Sequence, residues 1–234
     1  MINRLYAYKD LLLVFIWREF IIRYKQTAIG ILWAILQPIS LMLLFTFIFG
    51  VVLQTAQKSY PYTLFYFAGV LPWTFFSSST NFAVTSLSGN FNLVTKIYFP
   101  REIIPLSGVA INLMDYLIGL AVYFLMLFCY QIPLTWNIFW LLPLMVMLVL
   151  YTTSISLLLA ALNVYYRDVK LLTTFLIQFL FFATPVIYSI DSVDNKWKLL
   201  LFLNPLTFIV ENMRRVTIEG RELCSGRWEP NFSA

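Results

Sequence analysis

The stretch from Ile103 to Tyr130, IIPLSGVAINLMDYLIGLAVYFLMLFCY, has Asp115 as its one charged side chain. About 20 apolar residues in a helix cross roughly 30 Å of hydrocarbon, so this run reads as a membrane span. Four further uncharged runs read the same way: Ile29–Leu53, Tyr62–Val84, Ile138–Asn163 and Leu171–Tyr188. Composition agrees. The chain is 61% hydrophobic and 12% charged, against roughly 25% charged residues in a soluble domain, so polar groups cannot cover a globular surface. A barrel would show short alternating strands in place of unbroken apolar runs. The expected fold is an all-α polytopic membrane protein.

Lysine and arginine in the connections set the orientation. The N-terminal segment holds Arg4, Lys9, Arg18, Arg23 and Lys25, the second connection Lys96 and Arg101, and the fourth Arg167 and Lys170. The first connection has only Lys58, and Gln131 to Asn137 has none. The N-terminal side is therefore expected to face the cytoplasm. The apolar run Leu11–Ile16 is followed by Arg18, Glu19, Arg23 and Lys25 and by no small-residue cleavage site, so the N-terminus is expected to be retained.

Tyr6 to Lys25 reads as an amphipathic helix. Arg4, Arg18 and Lys25 fall along one stripe, with Leu13, Ile16, Phe20 and Tyr24 opposite. Glu19 and Arg23 are spaced for a surface pair. Such a helix lies in the membrane interface with its basic side toward anionic headgroups, or serves as a plain juxtamembrane anchor.

Beyond the fifth span the pattern changes. Trp197–Leu203 and Leu206–Val210 are each too short to cross, and read as two half-helices joined at Pro205 that dip into or lie on the outer face. Irregular backbone at that depth needs protein or water around it. Residues Glu219–Ala234 are polar.

The chemistry available is narrow. Histidine is absent, which removes the commonest general base and metal ligand; no metal site and no catalytic residue are expected. The two cysteines, Cys129 and Cys224, form no disulfide framework. No glycine is followed by lysine, so the phosphate-cradling loop of nucleotide-driven machines is missing, and energy must come from a partner or an ion gradient. A gradient needs acids within spans, and only Asp115 qualifies, as a proton relay or as a hydrogen-bonded structural carboxylate. An ion-coupled transporter would also tend to show an internal repeat. Gln37, Ser77–Asn81, Asn112, Thr152–Ser156 and Gln178 read as interhelical hydrogen-bonding positions.

Aromatic residues are abundant: 22 Phe, 14 Tyr and 7 Trp. Trp33, Trp73, Trp136 and Trp140 suit interface belts; a conduit for sugars, whose C–H faces stack on rings, is the other reading. Asn92–Pro105 is a charged segment on the basic side. It is either a plain connection or a docking element with Tyr98 and Phe99 as exposed anchors rimmed by Lys96, Arg101 and Glu102, the residue types of an interface hot spot. Tyr165, Tyr166, Arg167 and Asp168 sit on the same side.

Several strings together resemble a known family. Tyr24-Lys25-Gln26-Thr27-Ala28-Ile29-Gly30-Ile31-Leu32-Trp33 with Gln37-Pro38, Ala68-Gly69-Val70-Leu71-Pro72-Trp73, Lys96 to Pro105, Ala161 to Asp168 and Leu203-Asn204-Pro205 are similar to the ABC-2 type permeases. Within them the likeness is to the branch that exports O-antigen, capsular polysaccharide or teichoic acid. It runs from Tyr8 to Arg215. The resemblance implies a bacterial inner-membrane homodimer, each permease docked to a cytoplasmic ABC subunit that carries the ATP and Mg, with a lipid-linked glycan as cargo and no nucleic acid partner. A small lipophilic cargo is the alternative. It also implies a division into an interface segment (1–27), a transmembrane domain (28–190) and outer gate helices with a polar tail (191–234).

Carried over, Lys96, Ile97, Tyr98, Phe99, Pro100, Arg101 and Glu102 form or border a coupling helix, and Arg18, Glu19, Arg23 and Lys25 lie on the interface helix. Trp33, Gln37, Trp73, Phe76, Phe179, Phe182 and Tyr188 are candidates for an aromatic path, and Trp197–Arg215 for the gate helices. The family's sixth span is expected after Arg215, where the polar stretch Cys224–Ala234 does not supply one.

Overall fold

A computed structural model describes residues 8–25, 30, 32–48, 61–133 and 135–221. The expectations for Arg4, Tyr6, Ile29, Leu53, Lys58, Cys224 and the region of a sixth span lie outside these residues. Among the described residues the chain is helical and contains no strand. Helix α1 is Lys9–Phe20 and runs on through a wider π-type turn, Ile21–Lys25. Helix α2 is Leu32–Phe45, α3 Tyr62–Gly89, α4 the short Phe91–Lys96 and α5 Ile103–Cys129. A 3-10 turn, Trp136–Trp140, leads into α6, Leu141–Tyr165, and α7 is Val169–Ala183. Two short helices follow, α8 at Asn195–Phe202 and α9 at Pro205–Arg214, the latter prolonged by Arg215–Glu219.

Helix α3 is the centre of the bundle and packs against α2, α5, α6, α7 and α9. Its first half explains this: every residue from Leu64 to Trp73 is buried, and a helix that is apolar all round finds its place inside. Helix α6 is two-faced. Leu141, Leu144, Leu148, Thr152, Ser156, Ala160 and Asn163 recur every three or four residues and are buried, while Leu142, Val146, Leu150 and Leu158 point outward. An apolar outer face over a polar-dotted inner one suits a lipid surrounding, where small and polar residues make the helix contacts. The expected hydrogen-bonding role of the serine and threonine clusters is met by Thr80 and Ser156, whose hydroxyls lie 3.5 Å apart between α3 and α6. By length and composition, Ile103–Cys129 and Trp136–Tyr165 are able to cross a membrane.

Two span ends differ from expectation, those of α7 and α3. Helix α7 stops at Ala183 and not at Tyr188, because Pro185 forces the residue before it out of the helical region; Thr184 sits at φ −96°, ψ 135°. Helix α3 continues past Val84 to Gly89. Of the two placements expected for the half-helices, α9 takes the inward one: Leu206, Ile209, Val210 and Met213 are buried, as are Thr217 and Ile218 beyond it. Asn204 starts it, its side chain accepting the Leu206 N–H at 3.1 Å with Pro205 at the first helical position, where its missing N–H costs nothing.

The α3–α5 contact depends on Gly108, where an added Cβ would fall 1.9 Å from the Phe82 ring. Gly108→Ala is expected to destabilise the protein by about 1–3 kcal/mol through overpacking, read as a lower melting temperature in detergent. Gly89, with open space around it, is the control, and Gly89→Ala should melt no earlier than the native chain.

Candidate functional site

At the end of α3 the chain turns through Asn90 into α4, and Ile97 leaves that helix in an extended conformation, φ −124°, ψ 134°. Pro100 and the Arg101–Glu102 turn then lead into α5. Lys96 is thus the last residue of a short helix, and the rest of the Lys96–Glu102 segment lies in the connection after it. Successive side chains in such a connection point to opposite sides, and Tyr98 and Phe99 divide accordingly. Tyr98 is 96% exposed, while Phe99 is 8% exposed and packs on Phe15 of α1 with ring centroids 6.0 Å apart. The expectation of two exposed anchors is corrected: Phe99 is an internal bolt, joined by Ile103 and Ile104 in a small apolar cluster. Tyr98 is presented with Ile97 beside it, and Lys96, Arg101 and Glu102 are exposed around them.

The same cluster corrects the reading of α1. Its inner face is Tyr8, Leu11, Leu12 and Phe15, whereas Leu13, expected on the apolar side with Tyr24, is exposed together with Val14 and Trp17. The helix therefore has one apolar face for α5 and another for its surroundings. Arg18 spans α1 and the end of α3: it donates to Glu19 Oε1 at 2.6 Å and to Asn90 Oδ1 at 3.4 Å. Arg23 turns instead to α5, donating to Asp115 Oδ2 and, at 2.9 Å, to Asn112 Oδ1. Tyr24 donates to the other carboxylate oxygen of Asp115. Both oxygens of the intramembrane acid are thus engaged by the end of α1, and Lys25 is exposed beside them.

The turn after α6 shares this end of the molecule. Asn163 donates to the Val84 carbonyl at 2.8 Å and to Ser88 at 3.4 Å, which pins α6 to the last turns of α3. Tyr165, Tyr166, Arg167 and Asp168 follow, all exposed.

The candidate path residues fall into two groups. Trp73 and Phe76 are core residues: Trp73 meets Phe76 and Phe181 at 5.8 and 5.4 Å, and Phe76 stacks on Tyr151 at 5.7 Å. Trp33, Phe179 and Phe182 face outward, and Gln37 lies on α2. Tyr188 is half-buried and donates to the Phe182 carbonyl at 3.2 Å. One chain therefore does not bring these seven residues onto a common surface.

Sequence reasoning missed Arg214, which is 2% exposed and donates to the carbonyls of Phe65, Pro185, Val186 and Tyr188. The available signal was a cation four residues past the apolar Leu206–Val210 run. Among the described residues no group of three or more His, Cys, Asp or Glu comes together to hold a metal ion.

The profile of the ABC-2 type transporter family matches residues 10–218. The chain is 32% identical over 224 residues to the O-antigen export system permease protein RfbA of Myxococcus xanthus, covering 94% of this chain and 85% of that protein. An RfbA of Klebsiella pneumoniae is 30% identical over 212 residues, covering 90% and 81%. The polysialic acid transport protein KpsM of Escherichia coli is 24% identical over 217 residues, covering 87% and 79%.

The contact between α1 and α5 is open to a double-mutant cycle. Arg23→Ala and Asp115→Ala should each lower the melting temperature in detergent, and the double variant should lose less than their sum. A coupling of about 0.5–3 kcal/mol is expected for residues in one network; strict additivity would remove the pair from the account.

Proposed function

Because the chain belongs to the ABC-2 type transporter family, we propose that it is the permease subunit of an ATP-driven exporter carrying a lipid-linked polysaccharide such as O-antigen across the bacterial cytoplasmic membrane. The names of its relatives, permeases of O-antigen export, support the cargo. The likeness to a polysialic acid transport protein favours a capsular glycan as the second reading. The chain has no phosphate-cradling motif of its own, so ATP and Mg belong to a cytoplasmic partner subunit. The permease is multi-pass with its N-terminus in the cytoplasm and works as a homodimer.

The observation that carries this reading is the split of Tyr98 from Phe99. Tyr98 stands free among charged residues, as an anchor for a partner's pocket does. Phe99 passes any displacement of that anchor to Phe15 of α1 and to the start of α5. Arg23 and Asp115 tie the far end of α1 to the middle of α5, so α1 and α5 respond as one body. Helix α5 packs on α3, which carries the motion into the bundle. In this scheme Asp115 is structural and relays no proton.

Tyr98→Ala should cut co-purification of the ATPase subunit from native membranes by a factor of roughly thirty, the loss expected of a hot-spot residue. Glycan at the cell surface should fall with it, at an unchanged melting temperature. Phe99→Ala should lower the melting temperature. An ATPase retained in equal amount by Tyr98→Ala would contradict the docking role.

A further inference from the structure

The segment after α7 is a break in the bundle that is closed from α9 and α3. Thr184 to Ser189 form no helix; the Thr184 carbonyl accepts from the Val186 N–H at 2.7 Å and the Ser189 carbonyl from the Ser192 N–H at 3.1 Å, and the carbonyls of residues 185–188 are served by side chains from elsewhere. Arg214 serves three of these four carbonyls. Its Nη1 donates to the Pro185 carbonyl at 2.6 Å and the Tyr188 carbonyl at 3.4 Å, and its Nη2 to the Val186 carbonyl at 2.6 Å. Its Nε donates to the Phe65 carbonyl at 3.1 Å, and the Phe65 ring lies 3.6 Å from the guanidinium carbon. Ile187 is served separately, by the Tyr62 hydroxyl at 2.5 Å, and Asn204 donates to the Thr184 hydroxyl at 2.9 Å.

A planar fork of five donors reaches carbonyls in several directions at once, which the point charge of a lysine cannot do. Glu211 lies 3.8 Å from the fork, too far for a hydrogen bond, so the carbonyls hold its orientation. Room for it comes from Gly69: a Cβ there would stand 2.5 Å from Nη2 and 3.0 Å from the Val186 oxygen.

We propose that Arg214 is a positioning residue that holds residues 184–188 against α3 in the closed arrangement of the outer end, with Gly69 leaving the space it occupies. Separating the carbonyls from the guanidinium is costly, because it leaves several carbonyls without partners in a dry interior and strips the cation of its hydrogen bonds to them. This rests on the orientation given above, which places residues 184–192 on the extracytoplasmic side.

The test is the rate at which a membrane-impermeant maleimide labels Val186→Cys in intact cells, in the full chain carrying Cys129→Ser and Cys224→Ser. Val186 is fully buried, so labelling reports opening of the break. Labelling should be slow in this background and about tenfold or more faster with Arg214→Lys, the factor expected from losing charged hydrogen bonds. Gly69→Ala should act in the same direction. Combined with Arg214→Lys it should add less than it does alone, since its methyl then meets only the Val186 oxygen and no fork. Glu211→Gln should leave the rate near native.

A native rate in Arg214→Lys overturns the proposal, as do effects of Gly69→Ala and Arg214→Lys that multiply. Glu211→Gln labelling as fast as Arg214→Lys would assign the hold to the ion pair and overturn it too. If neither Arg214→Lys nor Gly69→Ala accumulates in the membrane, the residue serves folding alone and the proposal fails. Ser192→Cys, at an exposed position, reports the side: labelling only in inverted vesicles would refute the orientation, and the same comparison made there would still decide the clamp.

Discussion

Within hydrocarbon no water is present to bond a stray carbonyl, so each interruption of a helix has to be closed by the protein itself. This constraint organises the end of the molecule where α7 stops. Pro185 ends that helix, and the carbonyls it leaves are taken up by Arg214 and Tyr62. The requirement accounts for features that look unrelated in the sequence. Helix α9 brings the arginine inside alongside buried Leu206, Ile209, Val210 and Met213, Gly69 of α3 leaves the space that the guanidinium occupies, and Asn204 both caps α9 and binds Thr184.

The opposite end is governed by packing instead. Phe15, Phe99, Ile103 and Ile104 form a cluster separate from the main core, and it fixes α1 to the start of α5. Arg18 with Asn90, and Arg23 with Asp115, extend that attachment in both directions. The outcome is a packed corner, on the side proposed to face the cytoplasm, with Tyr98 projecting from it. Between the two ends α3 is continuous, its N-terminal turns touching the Arg214 network and its C-terminal turns leading to the segment that carries Tyr98. A push on the corner and the hold on the break therefore meet in one helix.

Much of this was legible in the chain. Unbroken apolar runs gave the helical membrane class, and Pro205 was expected between two short helices, which the structure has as Asn195–Phe202 and Pro205–Arg214. What remained illegible depended on partners distant in sequence. Adjacent Tyr98 and Phe99 look alike until Phe15, far away along the chain, takes one of them. The same holds for Phe181 and Phe182, where only the first meets Trp73. Leu13 looked like the apolar face of α1 because a single amphipathic stripe was assumed, whereas the helix serves two apolar neighbours. Arg214 went unread because nothing local announces that carbonyls from another segment will surround it.

The central claim is that the corner built around Phe99 presents Tyr98 to an ATP-hydrolysing partner. Its most direct test is a photo-crosslinking amino acid placed at Tyr98 in the full chain, irradiated in native membranes, with the attached protein identified by mass spectrometry. The account predicts one dominant adduct with an ATP-binding subunit, absent when the probe replaces the buried Phe99. Adducts to lipid alone, or to proteins without a nucleotide-binding domain, would contradict it.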